Sequence, residues 1–171
     1  MQMHRFTLAT ALLGLGFVVA CGGTKSTSPN TITYAATLAG ANEKPNAITT
    51  NGTGQFIATL DPTAHTFRWT LNFSGLTSNA TAAHIHGPAD ANTATGVIVN
   101  FAAPTGGTGS LTVGAPSGTA TGSISLAGNV NSGGTISGDS LRTLLDAGLT
   151  YVNVHTTNNG AGEIRGQIHS Q

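Results

Sequence analysis

The chain has 171 residues, with six basic and six acidic side chains and a formal charge of zero at neutral pH. Only 7% of it is charged, and no basic cluster, aromatic-basic interleaving or acidic tail occurs along it, which excludes nucleic acid as a partner. A single cysteine excludes an internal disulfide framework, so the fold must hold through its core alone.

At the start of the chain, His4 and Arg5 precede an apolar run from Phe6 through Ala20. At about fifteen residues this run is short for a bilayer-spanning helix. It ends at Val18-Val19-Ala20-Cys21, which reads as the lipobox of a bacterial export signal over residues 1–20. Cys21 stands where lipoprotein processing acylates a thiol, and it is expected as the diacylated first residue of the mature chain. The implied partner is a membrane, reached through the lipid anchor. Gly22 rather than aspartate follows the cysteine, so nothing marks inner-membrane retention. The expected location is the cell envelope, at the outer membrane or cell surface of a Gram-negative cell. Residues 21–31, rich in Gly, Thr and Ser, read as a flexible tether, and one domain occupies residues 32–171.

Within that domain the signals are short strands separated by turn residues. They fall at Ile32 to Leu38, Gly54 to Leu60, Thr66 to Phe73, Ala82 to His86, Val97 to Phe101, Gly109 to Val113, Ala120 to Leu126, Tyr151 to His155 and Glu163 to His169. Their spacing predicts an all-β fold, an antiparallel Greek-key sandwich or barrel. In Thr66 to Phe73, Phe67, Trp69, Leu71 and Phe73 alternate with polar residues and must face a core. Asp61-Pro62-Thr63-Ala64-His65 reads as the preceding hairpin turn, which makes His65 a solvated turn residue. One short crossover helix is expected over Asp139 to Ala147, where Leu141, Leu144 and Leu145 recur at helical spacing, with Asp139 or Ser140 as cap and Gly148 as stop. The segments Pro104 to Gly109 and Asn129 to Gly138 read as loops.

Chemistry concentrates in three strands. In Ala83-His84-Ile85-His86-Gly87-Pro88, period two puts His84 and His86 on the face opposite Ile85. In Tyr151-Val152-Asn153-Val154-His155-Thr156, it puts Tyr151, Asn153 and His155 opposite Val152 and Val154. Glu163 and Arg165 likewise oppose Ile164 and Ile168. Three histidines, a glutamate and an arginine are therefore expected on one outward face. A His-x-His pair on a strand sets two imidazoles about 6.5 to 7 Å apart at the backbone, within reach of one metal ion.

These motifs, together with Leu38-Ala39-Gly40-Ala41-Asn42-Glu43-Lys44-Pro45, Gly75-Leu76, Gly96-Val97-Ile98-Val99 and Gly162-Glu163-Ile164-Arg165-Gly166-Gln167-Ile168, resemble the CHRD (chordin-type) domain over Ile32 to Gln171. The opening motif departs from the family pattern, with Asn46 where a further proline is usual. The resemblance implies an all-β domain found alone in exported bacterial proteins and repeated in animal chordin proteins that bind growth factors. It implies no defined activity. Growth-factor binding does not carry over, since the cysteine-rich modules of chordin are missing here.

Two functions remain open. One is a non-enzymatic, lipid-anchored binding or structural module whose protein or small-molecule partner is unidentified. In it the histidines bond loop backbone, and Glu163 pairs with Arg165 across strands. The other is a mononuclear copper or zinc protein, redox-active if copper, in which His84, His86 and His155 are ligands. Tyr151, Asn153, Glu163 and Arg165 then surround or rim the ion. The histidine grouping is similar to that on the barrel of copper-zinc superoxide dismutases, but the further histidines and aspartate of their zinc site are missing. No Ser-His-Asp order, nucleophile elbow, phosphate loop or Cys-x-x-Cys occurs, so no catalytic residue is assigned.

Overall fold

The computed structural model describes residues 30–131 and 134–171. The export signal, Cys21 and nearly all of the tether lie outside the described residues.

Ten antiparallel strands follow: β1 (Ile32–Ala39), β2 (Thr53–Asp61), β3 (Thr66–Ser74), β4 (Ala80–His86), β5 (Val97–Asn100), β6 (Gly107–Leu111), β7 (Gly118–Ser125), β8 (Tyr151–Thr156), β9 (Ile164–Gln167) and β10 (His169–Ser170). Among the described residues one α-helix, α1 (Gly138–Asp146), lies between β7 and β8. The strands form one sheet in the order β5-β4-β8-β9-β1-β2-β3-β7-β6, with β10 pairing on β1. The all-β antiparallel expectation with one helix holds, and the sheet takes the form of a curled half-barrel.

Alternation explains the ladder from β1 to β3. In β2 and β3 every second residue is buried, and the two pair over nine residues from Thr53–Ser74 to Asp61–Thr66. Asp61 Oδ1 accepts from the backbone N–H of Thr63 and Ala64, both at 2.9 Å, which closes the hairpin. The curl is visible in the aromatic core. Phe101, just past edge strand β5, stacks on Trp69 of β3 at 5.1 Å and on Phe56 of β2 at 6.0 Å. Strands five and six places apart in the sheet order therefore meet across the concave side, and Leu141 and Leu145 of α1 join that core.

Three local expectations change. The helix is capped by Ser137, whose hydroxyl accepts from Ser140 N–H at 3.1 Å, because the helix begins one residue earlier than expected. The glycine segment expected as a loop enters β6 at Gly107, where its backbone pairs with Ile124 of β7. The strand expected from Glu163 to His169 splits at Ile168: β9 pairs with both β8 and β1, whereas β10 pairs with β1 alone. Ile168 keeps its inward direction at the break and is fully buried.

Candidate metal centre

Strands β4 and β8 are neighbours, with His84 opposite Asn153, His86 opposite Tyr151 and Ala82 opposite His155. On the other side of β8, β9 sets Arg165 opposite Asn153 and Gln167 opposite Tyr151. Side chains alternate along each strand, so all these polar residues share the convex face. Ala83, Ile85, Val152, Val154 and Ile164 fill the concave core.

That face was expected to look outward. It is instead roofed by the loops that follow β1 and β4. Arg165 donates to the Asp90 carbonyl at 2.8 Å, Gln167 Nε2 to the Ala89 carbonyl at 2.8 Å, and Asn153 Nδ2 to Glu43 Oε1 at 2.7 Å. Under this cover His86 keeps 7% of its exposure, Tyr151 and Asn153 3%, and Arg165 2%. Irregular loops carry no periodicity, so alternation reveals the face and not its roof.

The ligating nitrogens of His84, His86 and His155 lie within 4.8 Å of one another. His84 Nδ1 and His155 Nε2 are 3.0 Å apart. His155 Nδ1 faces the Gly160 carbonyl at 3.0 Å, and His86 Nδ1 faces the Thr95 carbonyl at 2.9 Å. A carbonyl oxygen only accepts, so both of these Nδ1 atoms carry the proton and both Nε2 atoms present a lone pair. His155 Nε2 takes the N–H of His84 Nδ1. His86 Nε2 is buried and bonded to nothing.

Electrostatics keep the trio neutral. Burial, reinforced by the neighbouring imidazoles of His155 and His86, pushes His84 down to about 4. Burial also brings His86 down to about 4, overriding the opposing pull of the Thr95 carbonyl, and it lowers His155. Metal ligation requires the neutral imidazole.

With metal–nitrogen bonds of about 2.0 to 2.1 Å, two nitrogens on one ion stand at most about 4.2 Å apart. Ring tilts of roughly 1 Å would bring the three nitrogens onto one ion. The carbonyls behind His86 and His155 supply the outer hydrogen bonds that orient imidazole ligands. Three protein nitrogens leave a fourth position free for an exchangeable ligand. Beside them a cavity of about 260 Å³ is lined by His84, Val97, Ile98 and Asn100, among others.

Tyr151 links this cluster to Arg165. The His86 and Tyr151 rings stack at 4.8 Å and 3°, and Arg165 Cζ sits 3.5 Å from the Tyr151 ring centroid. Tyr151 and Arg165 thus border the cluster through His86. Asn153 lies beside His84 and holds Glu43.

Glu163 is elsewhere. It is fully buried and accepts hydrogen bonds from Thr50 Oγ1, Thr77 N–H, Thr77 Oγ1, Thr156 Oγ1 and Asn159 Nδ2 at 2.7 to 3.1 Å. None of these partners belongs to the histidine face, and the pairing expected with Arg165 does not form. Burial pushes this carboxyl up, but the hydrogen bonds outweigh it and hold the group below its ordinary value. The backbone turn at Gly162, with φ 137°, is what takes Glu163 out of the strand's alternation. A Cβ at Gly162 would meet Asn153 Nδ2 and come within 2.8 Å of Glu43 Oε1.

Glu43 was not singled out from the sequence as a site residue. It is 4% exposed, and burial raises its carboxyl to about 7 despite the opposing charge of Arg165. It sits in an aperiodic loop, and only its place in the family-like motif around Pro45 marks it. His65 and His169 take no part in the cluster.

A family model described as CHRD domain matches residues 34–168. The chain belongs to the CHRD domain family. Neither the search of curated proteins nor that of solved structures returns a match. The CHRD match encloses the whole centre, from Glu43 in its roof to Gln167 on its far side, and membership suggests a binding or structural module.

Proposed function

We propose that this CHRD domain is a metal-holding module of the cell envelope, anchored by lipid at Cys21. One copper or zinc ion is held on His84 Nδ1, His86 Nε2 and His155 Nε2. The observation that carries this reading is His86 Nε2, a buried lone pair without a partner, beside two further imidazole nitrogens. Leaving a buried polar atom unpaired costs about 1 to 3 kcal/mol. An ion at the centre of the trio removes that cost, and His84 frees Nδ1 by carrying its proton on Nε2 instead, so all three imidazoles stay neutral. Copper outcompetes zinc at a nitrogen site of this kind, and it would make the module redox-active. The anchor is supported by Val18-Val19-Ala20-Cys21 and by the absence of any other cysteine.

The hydrogen bond between His84 and His155 favours a second reading, in which the histidines only tie β4 to β8 and the module binds its partner elsewhere. Elemental analysis of protein purified without a histidine tag separates the two, followed by calorimetric titration with Cu(II) and Zn(II). One equivalent bound at neutral pH, lost when His84 and His86 are both replaced by Ala and kept in His65→Ala, is the expected outcome. No stoichiometric binding leaves the structural role.

A further inference from the structure

A second cavity lies on the outer side of β1, β9 and β10, and none of His84, His86 and His155 lines it. It is a groove of about 580 Å³, within the range of small-molecule sites. Its lining includes Thr37, Asn42, Lys44, Arg165, Gln167 and His169, and no aspartate or glutamate side chain among the described residues contributes to it.

Arg165 is the unusual member. A charged side chain with 2% exposure is expected to be paired, yet it forms no ion pair among the described residues, where Arg142–Asp146 at 3.7 Å does. Glu43 and Asp90 act on it only through space, from beyond ion-pair distance, and neither lines the groove. Of its five N–H groups one is committed, to the Asp90 carbonyl. No unbonded nitrogen of the guanidinium is sealed from solvent. Its plane is fixed by the contact with Tyr151 and by the Asp90 bond, so the remaining donors form a preset fork at the groove wall. Lys44 adds a second cation, and Asn42, with its Nδ2 held by the Arg165 carbonyl, keeps an amide oxygen for a hydroxyl group.

We propose that this groove binds a polar small molecule bearing an oxyanion, a carboxylate or a phosphate, with Arg165 as the bidentate anchor and Lys44 at the rim. Guanidinium forks match both anions, and the amides and Thr37 suit a hydroxylated body. None of the three clustered histidines lines the groove, and the site is testable with no metal present.

The experiment is calorimetry on the full-length chain, purified in detergent and stripped of metal, titrated with glucuronate, inorganic phosphate and neutral glucose. Amide chemical shifts are followed in parallel. One-to-one saturable binding of glucuronate or phosphate is expected, weakening with added salt, with glucose silent and shifts confined to residues 35–37, 41–44, 91–92 and 165–171. A preference for glucuronate identifies a sugar acid, and one for phosphate a phosphorylated ligand. Lys44→Gln should weaken binding about two- to fivefold, and Arg165→Gln about tenfold or more. Should Arg165→Gln fail to fold, Arg165→Lys, which keeps the charge and loses the fork, carries the test beside Lys44→Gln. The proposal is overturned if neither anion saturates, if glucose binds as tightly as glucuronate, if the shifts lie elsewhere, or if the Lys44 and Arg165 variants bind like the unmodified chain.

Discussion

Glu163 and His86 are opposite solutions to burying a polar group. Glu163 meets five donors and stays ionised, whereas His86 is left with one nitrogen on a carbonyl and the other on nothing. Replacing Glu163 by Gln removes the charge that those donors serve and turns an acceptor into an N–H facing them. A loss of about 1.5 to 3 kcal/mol in denaturant unfolding is expected, with metal stoichiometry unchanged. A change in metal binding without a loss of stability would return Glu163 to the centre. The two groups also shape the acid limb of stability in sequence. The histidines are lowered to about 4 for His84 and His86, so without metal the unfolded chain takes up protons first, and stability falls as pH drops from about 6.5 to about 4. Glu163 is held below its ordinary 4.5, so its contribution is present above that value and is lost as pH falls through the lower folded one. Melting temperatures from pH 8 to pH 3 should decline across both windows, and in His84→Ala/His86→Ala the upper decline should shrink. Bound metal should likewise persist below pH 6.5, because His84 and His86 resist protonation down to about 4 and His155 is also lowered.

At the level of elements, legibility followed period. β3 announces itself through Phe67, Trp69, Leu71 and Phe73, each at most 4% exposed, and the pairing of His84, His86 and His155 followed from the same alternation in β4 and β8. What alternation does not encode stayed hidden: the two roofing loops, the loss of alternation at Glu163 after the Gly162 turn, and Glu43. The break at Ile168 was hidden for a different reason, since side-chain direction continues through it and only the pairing changes, from β8 and β1 together to β1 alone. Trp69 tests the shape of the core. Its ring stacks on Phe101, which reaches it from beyond the far edge of the sheet, so Trp69→Ala removes the contact that holds the curl as well as buried area. Equilibrium unfolding should record a loss of about 3 to 5 kcal/mol. A loss below about 1 kcal/mol would mean that the edge is held by something else.

For the whole molecule, the ligands span residues 84 to 155, the carbonyl of Gly160 orients one of them, and the family match begins at residue 34. The proposed centre is therefore built by the domain, and in the proposed reading the first thirty or so residues supply its location. This division predicts that Cys21→Ser uncouples the two properties. Without a thiol to acylate at the end of Val18-Val19-Ala20-Cys21, the domain should leave the membrane fraction or remain there as an uncleaved, longer precursor. Labelling with a radioactive fatty acid should disappear in either case. Copper or zinc content per chain should stay at one equivalent, because the three proposed ligands, His84, His86 and His155, all lie within the described domain. Unaltered membrane fractionation with normal cleavage and undiminished fatty-acid labelling would refute the anchor and leave the metal site standing. Loss of metal together with release would mean that the ion is loaded at the membrane, by a donor the anchored chain must reach.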